Sequence, residues 1–291
     1  MNKGKDKLIW KCRGRDLELG PRTLIMGIVN VTPDSFSDGG RFFEREAAVD
    51  HARAMVEEGA DILDLGGEST RPGAAEVTEA EEIRRVVSVV ESLAGRVDCL
   101  LSVDTTKSGV ARRALEAGAH IINDVSALTA DPDMAEVAAA TGAGVVLMHR
   151  QGTPRTMQQN PVYGHVVTEV QTYLLQRMES LMQQGLPAER MALDPGIGFG
   201  KTLEHNLELL RNLDALSSLG RPLLIGVSRK SFLGKITGRE VQDRLAATLA
   251  AQAFAVLKGA HILRVHDVKE SCDMARILDT LRLEESRDAD D

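Results

Sequence analysis

The stretch GADIL at residues 59–63 decides the fold, because it joins the end of a helix to the start of a buried strand. The same pattern recurs as GAHII at residues 118–122 and as GAHIL at residues 259–263. A glycine that ends a helix and leads directly into an apolar strand is typical of repeated strand–helix units. Such units predict a parallel sheet with right-handed crossovers.

Outward from these stretches, eight short apolar runs alternate with helical patterns along the chain. Most runs are continuous rather than alternating, as expected of parallel strands covered on both faces. The predicted strands are Leu24–Val29, Ile62–Leu65, Cys99–Asp104, Ile121–Val125, Gly144–Met148, Met191–Asp194, Leu223–Val227 and His261–Val265. Eight units predict a closed (β/α)₈ TIM barrel of the α/β class. A short N-terminal hairpin, with its turn at Arg13-Gly14, is expected before the first barrel strand.

Length and composition limit the domain organisation and the partners. The chain has 291 residues and a formal net charge of -8. We predict one barrel domain over residues 1–283 and a flexible acidic tail over residues 284–291. The acidic balance argues against a nucleic-acid partner, which would need a basic face. The longest apolar stretch, Leu245–Leu257, is too short for a membrane span of ~20 residues.

The cysteines and the last two helices suggest a location and an assembly. Cys12, Cys99 and Cys272 show no metal-binding or redox spacing, which predicts a reducing, cytoplasmic compartment. Apolar faces on the last two predicted helices would permit a homodimer; they carry Phe254, Leu257, Ile277, Leu278 and Leu281.

Every predicted strand delivers a polar or ionisable residue at its C-terminal end, where barrel enzymes carry their active sites. Arg264 and His266 are two residues apart, so they point to the same side and suit an anion such as phosphate or pyrophosphate. Salt bridges to Asp267 or Glu68 are the structural alternative. His149 could be a base or a packing residue.

A second set of polar residues suits a heterocycle. Asp104, Asn123 and Asp194 lie at three strand ends, and a buried carboxylate is costly unless a partner satisfies it. A ring edge of the N–C–N type offers two hydrogen bonds to one carboxylate. The alternative is a buried ion pair between either aspartate and Lys230. No protein-built metal site is apparent, so any metal would be a magnesium ion that bridges the substrate.

These residues lie in motifs that resemble the dihydropteroate synthase family. The resemblance extends from Met26 to Val268 in order and spacing. It is carried by MGIVNVTPDSFSDGG, GGESTRPGA, SVDTTK, IINDVSA, LMHRQGTPRTMQ, LDPGIGFGKT, GVSRKSFLG and LRVHDV. One departure is Arg150, where the family often has methionine.

The resemblance implies a transferase of folate biosynthesis and a role for each site residue. The reaction would join 6-hydroxymethyl-7,8-dihydropterin pyrophosphate to p-aminobenzoate, the substrate with which sulfonamides compete. The pterin would be bound by Asp104, Asn123, Met148, Asp194 and Lys230. Pyrophosphate would be bound by Asn30, Thr70, Arg71, Arg264 and His266, with Asn30 also reaching Mg²⁺. The p-aminobenzoate pocket would be lined by Phe36, Thr70, Pro72, Phe199, Lys230 and Ser231.

Catalysis would depend on charge placed on either side of the reacting carbon. Asp104, Lys230, Arg264, His266 and Asp38 are the expected catalytic residues. Asp38 either shields a pterin cation or caps the turn before Gly39-Gly40. Two other functions remain open: a pterin-dependent methyltransferase barrel, and a non-catalytic pterin-binding homologue.

Overall fold

A computed structural model describes residues 8–31, 40–68, 76–152, 157 and 160–287, without the side chains of residues 40–44 and 283–287. Its strands are β1 (Leu8–Cys12), β2 (Arg15–Leu19), β3 (Leu24–Asn30), β4 (Ile62–Gly66), β5 (Leu100–Asp104), β6 (Ile121–Asp124), β7 (Gly144–Met148), β8 (Met191–Asp194), β9 (Leu224–Ile225) and β10 (Ile262–Val265). Its helices are α1 (Gly40–Glu57), α2 (Glu79–Leu93), α3 (Ser108–Ala117), α4 (Met134–Thr141), α5 (Val166–Gln183), α6 (Leu203–Arg211), α7 (Leu213–Leu216), α8 (Ser231–Thr237), α9 (Leu245–Leu257) and α10 (Val268–Arg287).

The strands β3 to β10 form one parallel sheet in the order β8-β7-β6-β5-β4-β3-β10-β9. A parallel bridge between Leu193 and Leu223 connects β8 to the residue just before β9, so the two ends of the sheet meet. Each strand therefore lies beside its predecessor and its successor in the chain. The predicted (β/α)₈ barrel is confirmed, as is the N-terminal hairpin formed by β1 and β2.

The side chains of the barrel strands alternate between two apolar layers. The outward residues, such as Leu63, Leu101 and Leu263, pack against the helices. The inward residues Met26, Ile62, Leu100 and Ile121 form a smaller core together with the hairpin side chains Trp10, Cys12 and Leu19. The hairpin thus closes the N-terminal end of the barrel, which leaves the C-terminal ends for a site.

The recurrent glycine stretches lie at the predicted helix-to-strand junctions. Gly59, Gly118 and Gly259 have φ angles of 109°, 117° and 102°. At Gly118, a Cβ atom would also lie 2.7 Å from the Cβ of Ala94, so a side chain is excluded on two grounds. The sharp turn brings each strand back into the barrel immediately after its helix.

The remaining predictions about the chain concern its helices. Of the helices among the described residues, none combines the length and the apolar character that a bilayer span requires. The division into a domain over residues 1–283 and a tail over residues 284–291 stays a prediction, and the backbone of α10 continues to Arg287. Phe254, Leu257, Ile277 and Leu281 are 41 to 64% exposed. Leu278 instead packs partly against the core.

Candidate active site

The inward-facing residues of the barrel change from apolar to polar toward the C-terminal mouth. In register, Asp104 of β5 lies beside Gly66 of β4 and Asn123 of β6. Asp194 of β8 lies beside Met148 of β7. Asp104, Asn123, Met148 and Asp194 are all less than 8% exposed. The structure therefore brings these four of the predicted ring-binding side chains to the inner wall, toward the C-terminal ends of their strands.

One layer deeper lies a carboxylate that the sequence analysis did not single out. Asp64 of β4 is fully buried and accepts three hydrogen bonds. The Ser102 hydroxyl donates to its Oδ1 atom at 2.6 Å, and the Asn123 amide donates to Oδ2 at 2.9 Å. Arg264 Nε donates to the same Oδ2 atom at 2.6 Å. Asp64 thus connects four strands beneath the mouth.

Arg264 also binds Asp104, so two carboxylates share its guanidinium group. Its Nη2 atom donates to Asp104 Oδ2 at 2.6 Å. Burial alone would lower the pKa of Arg264, but Asp64 and Asp104 raise it above its usual value. The predicted alternative partners of Arg264 are engaged elsewhere, because Asp267 pairs with Arg229 and Glu68 pairs with Lys107.

The two aspartates of the mouth, Asp104 and Asp194, both have a raised pKa. Burial raises the pKa of Asp104 to about 7, although Arg264 opposes the shift. Burial also raises the pKa of Asp194, against the opposing charge of Lys230 and a hydrogen bond from the Gly196 backbone at 2.7 Å. A ligand that donates hydrogen bonds to these carboxylates would stabilise their charged forms.

The loop after β8 forms one wall of the mouth. Gly196 begins it with a φ of +68°, and a Cβ atom there would lie 1.9 Å from the His149 carbonyl oxygen. The Lys230 ammonium lies 4.4 Å from the centre of the Phe199 ring and donates to the Ile197 carbonyl. Burial lowers the pKa of Lys230 to about 8. Lys230 is therefore held over this loop and near Asp194, without a direct hydrogen bond to either predicted aspartate among the described contacts.

Behind the same loop lies a second buried lysine that the sequence analysis passed over. Lys201 is 3% exposed, and its ammonium lies 3.0 Å from His149 Nδ1 and 3.0 Å from the Phe199 carbonyl oxygen. Burial and the charge of Lys201 lower the pKa of His149 to about 3, so the imidazole is neutral. The His149 ring also packs edge-on against Tyr173. These contacts support the packing interpretation of His149 over a role as base.

The remaining predicted residues divide into rim positions and positions outside the described residues. Asn30 ends β3 and is half-buried, and His266 Nδ1 lies 2.9 Å from the Ser228 hydroxyl just beyond β10. Ser231 is exposed at the start of α8. Phe36, Asp38, Thr70, Arg71 and Pro72 lie outside the described residues, so their placement stays a prediction.

No group of three or more His, Cys, Asp or Glu side chains in the described part of the chain could hold a metal ion. Asn30 nevertheless lies at the rim, on the strand beside β10, which carries Arg264. One amide oxygen at that position fits a cation that is held chiefly by a bound anion.

Comparisons with known proteins agree with this geometry. A family model described as "Pterin binding enzyme" matches residues 26–266. The dihydropteroate synthase of Escherichia coli (strain K12) is 48% identical over 264 residues, which cover 90% of this chain and 93% of that protein. The dihydropteroate synthase of Haemophilus influenzae is 47% identical over 253 residues, covering 87% and 92% of the two chains.

Solved structures match over similar lengths. A Yersinia pestis dihydropteroate synthase in complex with a sulfonamide drug has a TM-score of 0.88 and 46% identity, and the match covers 94% of this chain and 99% of that one. A Xanthomonas albilineans dihydropteroate synthase with 4-aminobenzoic acid has a TM-score of 0.88 and 45% identity, covering 95% and 98% of the two chains.

Proposed function

Because the chain belongs to the dihydropteroate synthase family of pterin binding enzymes, we propose that its barrel mouth condenses 6-hydroxymethyl-7,8-dihydropterin pyrophosphate with p-aminobenzoate. The products are 7,8-dihydropteroate and pyrophosphate, and the enzyme is a transferase of folate synthesis. The observation that carries the proposal is the row of buried acceptors at the mouth, Asp104, Asn123 and Asp194, with Arg264 and Lys230 beside it.

The pterin ring occupies the deepest part of the mouth. Asp104 and Asp194 accept hydrogen bonds from the ring nitrogens, and Asn123 pairs with a mixed edge because its amide both donates and accepts. Met148, 3% exposed and in register with Asp194, packs against the ring face. Lys230 holds the ring from the side of the loop after β8.

The pyrophosphate group lies nearer the rim. Arg264 uses two of its N–H groups for carboxylates, and its remaining donors can bind phosphate oxygens. His266 and Asn30 lie at the ends of the two strands that flank this position. Thr70 and Arg71 complete this set in the proposal. Magnesium, when bound, would neutralise charge on the pyrophosphate oxygens, with Asn30 as its protein ligand.

The p-aminobenzoate ring lies above the pterin against the Phe199 ring. Phe199 is half-buried and in contact with Lys230, and Ser231 follows at the exposed start of α8. Phe36, Thr70 and Pro72 are the proposed opposite wall. Phe36 and Pro72 contribute apolar contacts, which suit the face of an aromatic amine.

The reaction separates charge across the mouth. The carbon–oxygen bond between the pterin methylene and pyrophosphate breaks, and the electron pair leaves with pyrophosphate. Asp104 and Asp194 stabilise the pterin cation, while Arg264 and His266 stabilise the leaving anion. The p-aminobenzoate nitrogen then forms the new bond to the methylene carbon and releases a proton to solvent. Asp38 shields the cation from water in this scheme.

Measurement of pyrophosphate release tests the proposal and separates it from both alternatives. With the dihydropterin pyrophosphate and Mg²⁺, a synthase releases pyrophosphate when p-aminobenzoate is added and far more slowly without it. A non-catalytic pterin-binding homologue would bind the pterin and release nothing. A methyltransferase would transfer a methyl group from a methylated pterin, and such transfer without pyrophosphate release would refute the proposal. Chelation of magnesium should stop release, and added Mg²⁺ should restore it.

A homodimer and a cytoplasmic location complete the proposal. Phe254, Leu257, Ile277 and Leu281 expose apolar surface on α9 and α10, which pack against each other. All three cysteines are free and buried, as suits a reducing compartment. Light scattering should give twice the mass of the chain, and aspartate at Leu257 and Ile277 should give the single-chain mass.

A further inference from the structure

Asp64 stands out because the proposed mechanism gives it no contact with either substrate. It is fully buried one layer below the mouth, on the same inward face of β4 as Gly66. A buried carboxylate is expensive and persists when its partners satisfy it. Ser102, Asn123 and Arg264 do so at 2.6 to 2.9 Å.

Two of these partners, Asn123 and Arg264, belong to the proposed substrate contacts. Arg264 joins Asp64 through Nε and Asp104 through Nη2, both at 2.6 Å. The two bonds differ in what surrounds the acceptor. Asp64 accepts hydrogen bonds from three side chains. Asp104 accepts one, from Arg264, among the side-chain contacts in the described part of the chain. Asp104 also lies nearer the mouth, so Asp104 is the partner that an incoming ring can reach.

We propose that Asp64 is a positioning residue for pterin binding: by holding the Nε edge of Arg264, it lets Asp104 exchange its arginine contact for the pterin ring. The guanidinium group then stays in place for the pyrophosphate instead of following Asp104. Asp64 also fixes the amide of Asn123, which faces the same ring. This inference rests on the proposed function of the mouth.

The charges around Asp104 give the direction of the effect. The charged groups that act on it are Arg264 from β10, Asp64 from β4, Glu82 from α2 and Asp124 from β6. Arg264 lowers the pKa of Asp104, and Asp64 raises it by direct repulsion. Removing the charge of Asp64 would therefore lower the pKa of Asp104 and tie Asp104 more tightly to Arg264.

The Asp64→Asn variant tests this with three binding measurements by calorimetry. Affinity for the neutral 6-hydroxymethyl-7,8-dihydropterin should fall by about tenfold or more, since Asp104 then holds Arg264 more tightly and the charge-assisted hydrogen bond that the ring must displace is stronger. Affinity for inorganic pyrophosphate with Mg²⁺ should not fall, because Asp104 still holds the Nη2 edge of Arg264 in place when no pterin competes for it, and the mouth has become more positive. Pterin affinity falls at acid pH as Asp104 becomes protonated. This part of the pH profile, its acid limb, should move to lower pH in the variant.

A merely structural role for Asp64 predicts a different result, in which both ligands bind more weakly and the acid limb stays in place. Either finding in a folded variant would overturn the proposal. Asp279→Asn is the matched control, since Asp279 is a buried carboxylate that accepts from the backbone and hydroxyl of Thr23 at the opposite end of β3. It should lower thermal stability and leave all three binding measurements unchanged.

A second variant keeps the test decisive if Asp64→Asn does not fold. Ser102→Ala leaves the Asp64 charge but removes the hydroxyl from its Oδ1 atom, so Asp64 becomes the stronger acceptor for Arg264. The acid limb should then move in the opposite direction, to higher pH, and no movement or a downward movement would refute the proposal. Wild-type protein that binds no dihydropterin would instead refute the proposed function.

Discussion

Replacing Asp104 by asparagine should weaken pterin binding, and the structure allows the size of the loss to be worked out. The ring is expected to donate two hydrogen bonds to this carboxylate, each of about 1.5–3 kcal/mol. Binding also requires Asp104 to give up its 2.6 Å bond to Arg264, which costs a similar amount once. The net contribution is therefore roughly 1.5–3 kcal/mol rather than twice that value. Asparagine keeps the shape but loses the charge, so affinity should fall about tenfold to hundredfold.

The assay is calorimetric titration of 6-hydroxymethyl-7,8-dihydropterin into the wild type and the variant. Asp279→Asn serves as the control, because Asp279 is also a buried carboxylate but accepts from Thr23 at the opposite end of β3. The control should lose stability and keep its pterin affinity. An affinity of Asp104→Asn within twofold of the wild type would contradict the assignment of this carboxylate to the ring.

Three further results are expected. The affinity of the wild type for the dihydropterin should rise with pH through about 7, because the pKa of Asp104 is raised to about 7 and the ring binds its ionised form; a flat profile from pH 5.5 to 8 would count against this. Trp10→Ala should lower the free energy of unfolding in urea by about 3–5 kcal/mol, since Trp10 is fully buried in the plug, while Ile9→Ala at a 43% exposed neighbour should cost far less. Lys201→Met should raise the pKa of His149 from about 3, because the lysine charge contributes to lowering it, and an NMR titration of the imidazole that shows no rise would refute that cause.

The sequence predicted the barrel because its signals were local. Each of the three glycine junctions, such as Gly59 with its φ of 109°, fixes how one helix meets one strand, and eight strand–helix units leave little choice of architecture. The least accurate strand was the predicted Leu223–Val227, where the strand spans only Leu224–Ile225 and Leu223 adds a single bridge. Beyond it the chain turns: the Lys230 backbone N–H donates to the Val227 carbonyl oxygen, and Arg229 within this turn has a φ of 56°.

The candidate site was predicted less completely, because its partners are distant in sequence. Asp64 was missed since only the strand ends were considered, although it shares the inward face with Gly66 and pairs in register with Ser102. The alternation of side chains along β4 and β5 would have revealed it. The ion pairs of Arg264 with Asp64 and Asp104 could not be predicted, because 200 and 160 residues separate the partners in the sequence.

The hairpin formed by β1 and β2 closes the N-terminal end of the barrel, so the site opens to solvent at the C-terminal mouth. Trp10, Cys12 and Leu19 fill the far end, so every molecule must arrive and depart by the same route. The ligand that sits lowest has to enter first, and a later arrival above it blocks its exit. If the pterin binds lowest, as proposed, it has to bind before the arylamine, and the joined product has to leave before the next pterin can bind.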